Sequence, residues 1–251
     1  RGSGVRHLSL RARDILVYRL SDDLTGVLVY FMVIFSPWAF GTTQPWAIGV
    51  MNVAGYLAGL LLAVKLAIRH LKGFQASRWD VEIPNRQDFA RQIHLLRPSW
   101  FTLGLAMLTV AILVYCLVSA MNARSTYLRT QLIFDYHSFF AWLPHSFDSA
   151  RTWGYFWTYL ALACAFWAIS DWLLGKSSGE ERAEHLKTFA PGKSTAPLLP
   201  ARMRGLLWVL CVNGGLLAVE SIVQRWEGSG RLLWLVQPRV SPGAEAQFGP
   251  Y

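Results

Sequence analysis

The chain has 251 residues, of which 53% are hydrophobic and 16% are charged, and its formal net charge is +9. This balance is typical of a membrane protein, provided that the apolar residues form continuous spans rather than periodic stripes. The positive charge does not require nucleic acid, because anionic lipid attracts basic segments beside a membrane. We therefore expect membrane lipids, and no nucleic acid, as partners.

The first 23 residues form a basic segment with five arginines and without the apolar region of a signal peptide. Within it, Ser21, Asp22 and Asp23 resemble a helix start, since a capping hydroxyl and carboxylates stabilise the positive end of the helix dipole. We expect residues 1–23 to be a cytoplasmic segment that the first membrane helix follows directly.

Five apolar stretches follow, each close to the roughly 20 residues that cross about 30 Å of hydrocarbon as a helix. They cover residues 24–40, 46–67, 100–121, 153–174 and 205–223. Backbone amides cannot stay unpaired in lipid, and the sequence lacks the alternating pattern of barrel strands, so these spans are predicted as helices. The predicted fold class is all-α: a polytopic helical membrane protein with about five transmembrane helices and short interfacial helices. Its membrane domain covers residues 24–223. The three cysteines lie in these stretches, so no disulfide framework is predicted.

The first two spans are joined by FSPWAFGTTQPW, residues 35–46, which has two prolines and no charge. Pro37 disfavours helical geometry at the residue before it, whereas Pro45 can begin the next helix, where its missing N–H costs nothing. Trp38 and Trp46 are expected at headgroup depth, which indole rings prefer. GTTQP, residues 41–45, is thus predicted to be a tight extracytoplasmic turn between two antiparallel helices.

The longer connections differ in composition. Residues 68–99 and 175–204 are predicted as cytoplasmic linkers, the second of them Gly/Ser/Pro-rich and mobile, with a helical turn near residues 180–186. Residues 122–152 contain LIFDYHSFFAWLPHSF, which is too aromatic for a solvated loop, and are predicted to lie along the outer membrane interface. Residues 224–251 are predicted as an extracytoplasmic C-terminal segment, in which RLLWLVQPRV resembles a second interfacial stretch.

Basic residues determine the predicted orientation. The N-terminal segment and the two linkers hold 5, 6 and 6 Lys and Arg residues, against 0, 3 and 3 in the alternate connections. The positive-inside rule therefore places the N-terminus in the cytoplasm and the C-terminus outside.

Sequence motifs for nucleotides, metals or cofactors are weak. GKS occurs at Gly175 and Gly192, but neither has the Gly-rich loop after a strand that a phosphate loop needs. His137 and His145 lie near aspartates on the predicted outer side, but they are too loosely arranged for a metal site. We predict no metal site and no cofactor.

Two features inside the spans are candidates for packing or function. Gly55 and Gly59 form a GxxxG motif, a predicted helix-packing face against another helix of this chain or of a second chain. Glu220 is the buried acid candidate, because an ionisable residue inside a span is costly and often functional. It lies one turn from the predicted outer end of its span, where it could instead pair with Arg225.

Three arginines, Arg225, Arg231 and Arg239, cluster after the fifth span on the predicted outer side. Guanidinium groups bind phosphates through paired donors, so these residues are candidates for binding a lipid pyrophosphate. Contact with ordinary lipid headgroups is the alternative. No nucleophile–base pair is evident in the sequence, and catalytic residues are not assigned.

Three stretches carry a resemblance to a known family. FSPWAFGTTQPWAIGVMNVAGYLAGLLLAVK, from residue 35, resembles the N-terminal hairpin of the O-antigen ligase and O-antigen polymerase family of membrane glycosyltransferases. Two later stretches are similar to successive blocks of the same family: WLPHSFDSARTWGYFWTYLALACAFWAISDWLL, from residue 142, and GLLAVESIVQRWEGSGRLLWLVQPRV with FGPY, from residue 215. The resemblance extends over the N-terminal half of such a protein.

The resemblance implies a multi-pass protein of the bacterial cytoplasmic (inner) membrane. Members of this family transfer a glycan from an undecaprenyl-pyrophosphate carrier to a lipid or a growing chain, without a metal. Arginines hold the pyrophosphate and a histidine activates the acceptor hydroxyl, roles that stabilise leaving-group charge and supply a base. The Arg-containing segment and large outer loop of the family would follow FGPY, so no residue of this chain is assigned a family catalytic role.

Two hypotheses follow. The chain is the membrane portion of an O-antigen-ligase-like protein that acts on undecaprenyl-pyrophosphate-linked glycans in cell-envelope polysaccharide assembly. Alternatively, it is a non-catalytic transmembrane subunit that packs against a larger membrane protein complex. The first hypothesis implies the glycan carrier as a partner, and the second implies other transmembrane subunits. A transporter is less favoured, because the spans offer few ionisable residues near the middle of the membrane.

Overall fold

The computed structural model describes residues 11–39, 44–74, 76–79, 100–128, 131, 133–182 and 199–227. Its named elements are α1 (Ala12–Trp38), α2 (Pro45–Lys72), α3 (Trp100–Met121), β1 (Ser125–Leu128), β2 (Ile133–Tyr136), α4 (Ser149–Leu174) and α5 (Ala201–Glu227). These five helices are long and apolar enough to cross a membrane, which is the architecture of a multi-pass helical membrane protein. The predicted helical membrane class is confirmed at this level.

Several helices extend beyond the predicted spans. α1 starts well before Ser21, so the helix start predicted there is wrong, and Ser21 and Asp22 lie inside the helix. Helix formation can begin earlier because no Gly or Pro interrupts residues 12–25. The amide of Arg11 donates to the Asp14 carboxylate at 3.0 Å and closes the first turn. α4 and α5 likewise begin about one turn before their predicted spans.

α2 has clear signals at both ends. It begins at Pro45, as the sequence predicted, because a proline in the first turn loses no helical hydrogen bond. It ends at Lys72, after which Gly73 adopts a left-handed conformation with φ 66°. Glycine is favoured there because it has no Cβ to clash. Arg69 and His70 join Lys72 in the last turn, where positive charge faces the negative end of the helix dipole.

The centre of the bundle consists of α1, α2 and α4. α2 packs against both α1 and α4, while α3 lies outside against α4 and α5 lies outside against α1. A small core of Val29, Met32, Ala54 and Trp172 joins the three central helices. Many large apolar side chains of the bundle point outward instead, as expected for helices that are surrounded by hydrocarbon.

The two ends of the bundle have different chemistry. One end holds Asp22, Lys65 and Asp171 and is called the basic end below. The other end holds the β1–β2 hairpin together with the facing ends of α1 and α2, at Trp38 and Pro45, and is called the hairpin end. Consecutive helices run between these two ends in alternate directions.

The GxxxG glycines of α2 lie against α4 of the same chain. A Cβ at Gly55 would lie 2.6 Å from the carbonyl oxygen of Ala161, and a Cβ at Gly59 would lie 2.7 Å from the side chain of Cys164. Small residues at these positions allow the two helices to approach closely. The side-by-side contact of α2 and α4 therefore depends on the absence of a side chain at Gly55 and Gly59.

The connection between α3 and α4 forms the β1–β2 hairpin, and no described residue of this connection is helical. The expectation of short interfacial helices is therefore wrong for its described part. The strands are antiparallel, with Tyr127 directly opposite Phe134, and aromatic residues favour such pleated pairs. Asn122 donates to the Phe140 carbonyl at 2.8 Å and accepts from the Phe140 amide at 2.7 Å, which fastens the connection to the end of α3.

Some predicted segments lie outside the described residues. They are the N-terminal residues 1–10, most of the two linkers (80–99 and 183–198) and the C-terminal residues 228–251, which include the RLLWLVQPRV stretch. Of the helical turn predicted near residues 180–186, the structure describes a helical segment at residues 178–182.

We predict that Gly55→Ala lowers the free energy of unfolding by about 1–3 kcal/mol, the usual cost of overpacking. The added methyl group would collide with a backbone oxygen of α4, which cannot move without shifting the helix. Gly49→Ala is the matched control, because a Cβ at that position of α2 meets nothing within 4 Å. An SDS unfolding titration of the two variants measures the difference, and equal stabilities would contradict the prediction.

Candidate functional site

A cluster of charged side chains joins the helices at the basic end. Its centre is Asp171 of α4, which is 8% exposed. The guanidinium of Arg69 donates to Asp171 at 2.6 Å and 3.0 Å, and Lys65 Nζ and Arg78 Nη1 each lie 2.7 Å from the same carboxylate. Lys65 is 1% exposed and also bonds to Asp22 of α1 at 2.6 Å. This ionic cluster therefore connects α1, α2 and α4.

Arg202 brings α5 into the ionic cluster. Its guanidinium bonds to the Asp22 carboxylate and donates to the carbonyls of Trp172 at 2.6 Å and Lys176 at 3.1 Å. It also lies 5.3 Å from the Trp172 ring centre, within the range of a cation–π interaction. The start of α5 is thereby tied to α1 and to the end of α4.

Arg78 reaches the ionic cluster because the chain after α2 pairs with the end of α4. The amide of Trp79 donates to the Leu174 carbonyl at 3.0 Å, and the amide of Lys176 donates to the Ser77 carbonyl at 3.0 Å. These two hydrogen bonds form a short antiparallel bridge, which brings the Arg78 side chain to the carboxylate of α4.

The ionic cluster is best interpreted as a structural element that holds the helices together. Along α1, Asp22 is about 24 Å from Trp38 at 1.5 Å per residue, close to the thickness of the hydrocarbon layer. The cluster therefore lies near one membrane surface when Trp38 is at the other. Among the described residues, its four basic side chains each contact a carboxylate of Asp22 or Asp171. Buried charges that are paired in this way are stable only together.

The hairpin end contains a cleft lined by three aromatic rings, with a volume of about 250 Å³. The rings of Tyr127 and Phe134 are 5.0 Å apart, as expected for direct partners across two strands. The ring of Phe147 lies 5.0 Å from that of Phe134. The amide of Ser125 donates to the Phe147 carbonyl at 3.1 Å, which holds Phe147 beside β1. We call this site the aromatic cleft.

Two charged residues at the start of α4 complete the lining of the aromatic cleft. Asp148 is the N-cap of α4, and its Oδ1 accepts from the Ala150 amide at 3.1 Å. Arg151 follows one turn later, with its Nε 3.6 Å from Asp148 Oδ2 and its side chain 83% exposed. The aromatic cleft thus places apolar ring surface next to one carboxylate and one guanidinium.

A second open surface lies between α1 and α2 and is lined by apolar residues. This apolar groove has a volume of about 570 Å³ and includes Leu28, Phe31, Trp46, Gly49 and Val53. Because Trp46 and Gly49 belong to the first turns of α2, the groove opens in the half of the bundle nearer the hairpin end.

The predicted acid and arginines of α5 do not form the suggested pair. Glu220 is 8% exposed, and its two carboxylate oxygens have no hydrogen-bond partner in the described part of the chain. Pairing of Glu220 with Arg225 is therefore not observed, and Arg225 is exposed in the last turn of α5. The Nε2 atom of Gln224 is also buried without a described partner. Arg231 and Arg239 lie outside the described residues.

The two histidines near the hairpin make local contacts. His137 Nε2 lies 3.1 Å from Thr126 Oγ1, and His145 Nδ1 lies 3.1 Å from the Leu143 carbonyl oxygen. Within the ranges that the structure describes, no group of three His, Cys, Asp or Glu side chains could hold a metal ion.

Sequence patterns do not predict the ionic cluster or the aromatic cleft. Lys65 and Asp171 each stand out as a single charge near the end of an apolar span, and their opposite signs are a signal for pairing. The aromatic cleft has no comparable signal. Its rings come from β1, β2 and the segment before α4. Tyr127 and Phe134 meet through the strand register, and Phe147 is held beside them by its hydrogen bond with the Ser125 amide.

Glu180 holds the start of α5 close to the ionic cluster. Its carboxylate accepts from the Ala201 amide at 2.6 Å and from the Ser177 amide and hydroxyl at 2.8 Å and 2.9 Å. Burial raises the pKa of the Glu180 carboxyl, but these hydrogen bonds and the charge of Arg202 outweigh it. The pKa of Glu180 therefore lies below its usual value of 4.5.

We predict that Asp171→Asn lowers the free energy of unfolding by about 3–5 kcal/mol, since it leaves buried cations without their carboxylate. The matched control is Asp23→Asn, because Asp23 is an exposed acid of α1 beside the cluster. SDS unfolding titrations at neutral pH measure both variants. A loss of the same size in both would show that the Asp171 contacts do not stabilise the bundle.

We predict a pH-dependent effect of Glu180→Gln. A carboxyl whose pKa is lowered in the folded state stabilises the fold above its unfolded pKa and loses this effect as the pH falls. The variant should therefore be less stable at pH 7 by about 1 kcal/mol, the size of a lost helix cap, and the difference should vanish in acid. Unfolding titrations at several pH values test this. Glu181→Gln is the control, and a pH-independent difference for Glu180→Gln would contradict the prediction.

Comparisons of this chain with protein-family models, curated proteins and solved structures give no match. The candidate sites are therefore assigned from their own residues. The ionic cluster has the geometry of a structural element, whereas the aromatic cleft and the apolar groove are open surfaces.

Proposed function

We propose that this chain is the membrane portion of an O-antigen-ligase-like protein that acts on undecaprenyl-pyrophosphate-linked glycans during assembly of cell-envelope polysaccharide. The proposed location is the bacterial cytoplasmic (inner) membrane, with the basic end in the cytoplasm and the hairpin end outside. The sequence resemblance supports this proposal, and the apolar groove between α1 and α2 is the structural observation that carries it.

The apolar groove suits a polyisoprenoid chain. Its lining is apolar, and nothing lies within 4 Å of the position that a Cβ at Gly49 would take, which leaves room for a ligand. Its volume of about 570 Å³ falls within the range of about 300–1,000 Å³ that is typical of ligand sites. Close contacts with the branched methyl groups of a polyisoprenoid would stabilise binding through dispersion.

The charged head of such a carrier would lie at the hairpin end. Arg225 is exposed there, in the last turn of α5, and a guanidinium binds phosphate oxygens through paired donors. We propose Arg225 as a pyrophosphate-binding residue. Arg231 and Arg239, outside the described residues, are further candidates from the sequence.

A second hypothesis, a non-catalytic transmembrane subunit, is favoured by α3. This helix has no charged residue, and no residue of its most apolar window is buried inside the bundle. Only Ser119 and Ala120, at its last turn, are buried among its residues. Trp100 and Met107 are among its exposed large side chains. A helix with so much exposed apolar surface packs either against lipid or against a helix of another membrane protein.

We predict that the purified chain binds undecaprenyl pyrophosphate and that Val53→Trp weakens binding about tenfold, or ~1.4 kcal/mol, because the indole would fill the apolar groove. Val110→Trp on α3 is the matched control, since Val53 and Val110 are both 58% exposed and only Val53 lines the groove. Native mass spectrometry of the chain in amphipol, titrated with undecaprenyl pyrophosphate, measures the bound fraction.

Two further measurements sharpen this experiment. Arg225→Ala should weaken binding of undecaprenyl pyrophosphate and leave binding of undecaprenol unchanged, because undecaprenol has no phosphate. Equal binding by the wild type, Val53→Trp and Val110→Trp would refute the carrier proposal and favour the subunit hypothesis.

Labelling of a Trp142→Cys variant tests the proposed orientation. The orientation would be overturned if an impermeant thiol reagent labelled Cys at this position from the cytoplasmic face, which is exposed in inverted membrane vesicles.

A further inference from the structure

We infer that the aromatic cleft is a binding site for one neutral sugar ring of a glycan. This inference deepens the proposed function and rests on it for the side of the membrane on which the glycan is presented. The ligand class itself follows from the lining of the cleft, which combines aromatic rings with a carboxylate and a guanidinium.

The aromatic rings provide a surface for the apolar face of a sugar ring. Phe134 is the central ring, because it contacts both Tyr127 and Phe147. It remains 39% exposed, and Phe147 remains 53% exposed, although both belong to a folded hairpin region. The face of an aromatic ring carries negative charge and attracts the slightly positive C–H groups of a pyranose.

The polar residues provide partners for sugar hydroxyls. Asp148 Oδ1 accepts one hydrogen bond, from the Ala150 amide. Asp148 Oδ2 is 3.6 Å from Arg151 Nε, which is longer than the roughly 2.7–3.2 Å of a hydrogen bond. A carboxylate can accept several hydrogen bonds, so Asp148 keeps capacity for hydroxyl donors. Arg151 has exposed N–H donors for hydroxyl or ring oxygens.

The arrangement of charges favours a neutral ligand. Asp148 and Arg151 have opposite charges and lie beside each other, so the cleft has little net charge. A phosphate group would meet repulsion from Asp148, since like charges that face each other are unfavourable. A hydrocarbon chain would cover the Asp148 carboxylate without giving it a hydrogen-bond donor, which is costly. A polyol avoids both penalties because its hydroxyls donate to the carboxylate and accept from the guanidinium.

The size of the cleft limits the ligand to one ring. Its volume of about 250 Å³ is below the range of about 300–1,000 Å³ found for drug-sized ligands. The cleft is open to solvent beside Arg151, whose side chain is 83% exposed. A longer glycan can therefore place one unit against Phe134 and continue outside the cleft.

The experiment is a glycan-array measurement with the full chain in amphipol, which avoids sugar-headed detergents that would compete for the cleft. The array carries neutral, acidic and phosphorylated oligosaccharides. The expected result is binding of at least one neutral glycan in preference to phosphorylated ones. Phe134→Ala should reduce this binding at least tenfold, and Phe134→Tyr should retain it because the ring face is kept. Asp148→Asn should also weaken binding while preserving the helix cap, since asparagine caps helices as well as aspartate does.

Phe140→Ala is the matched control for Phe134→Ala, because Phe140 is an exposed phenylalanine of the same connection that does not line the cleft. Circular dichroism checks that the variants keep the helical fold. The inference is overturned when no neutral glycan binds, or when Phe134→Ala and Phe140→Ala reduce binding equally. Glycan binding without binding of undecaprenyl pyrophosphate would leave the cleft assignment standing and refute the proposed function, and the reverse result would refute the cleft alone.

Discussion

The buried ion pairs between Asp171 and its cations are the constraint on which the rest of the structure depends. Lys65 lies between two carboxylates, so it links α2 to α1 and α4 at once. Arg202 extends the same set of contacts to α5. Inside the hydrocarbon layer there is little hydrophobic force to hold one apolar helix against another, because the lipid tails are as apolar as the helix surface. Charged contacts at one end therefore hold α2 beside α1 and α4, and hold α5 beside α1.

Close packing transmits this arrangement to the opposite end. Gly55 and Gly59 bring α2 against α4 along the middle of the bundle, which positions the start of α4 at Asp148. From there Asp148 and Phe147 meet the β1–β2 hairpin, where Tyr127 and Phe134 are already paired by the strand register. The aromatic cleft is thus built on two rigid elements, a helix cap and a hairpin, and such support favours a defined binding geometry.

The apolar groove and the aromatic cleft belong to the same half of the bundle but have complementary chemistry. The groove, which includes Phe31 and Val53, offers only apolar surface. The cleft offers ring faces beside Asp148 and Arg151. Together they match the three parts of the proposed carrier: a hydrocarbon tail for the groove, a sugar for the cleft and a phosphate for exposed arginine. Under the proposed function, this division would let a chain with no recognisable catalytic motif contribute to glycan handling through binding alone.

The sequence predicted the five apolar helices, because bilayer thickness and the need to pair backbone amides act along the chain. It also predicted the start of α2 at Pro45, because a proline in the first turn loses no helical hydrogen bond. It did not predict that α1 continues through Ser21, since the capping signal there competes with a longer run of helix-forming residues and with the contacts of Asp22. It also missed the β-hairpin, whose aromatic strands resemble interfacial segments in composition. By itself, the sequence determined which of the described helices are long and apolar enough to cross a membrane. Only the tertiary structure decided which charges pair and which rings form a cleft, because those contacts join residues that are distant in sequence and depend on helix neighbours and strand register.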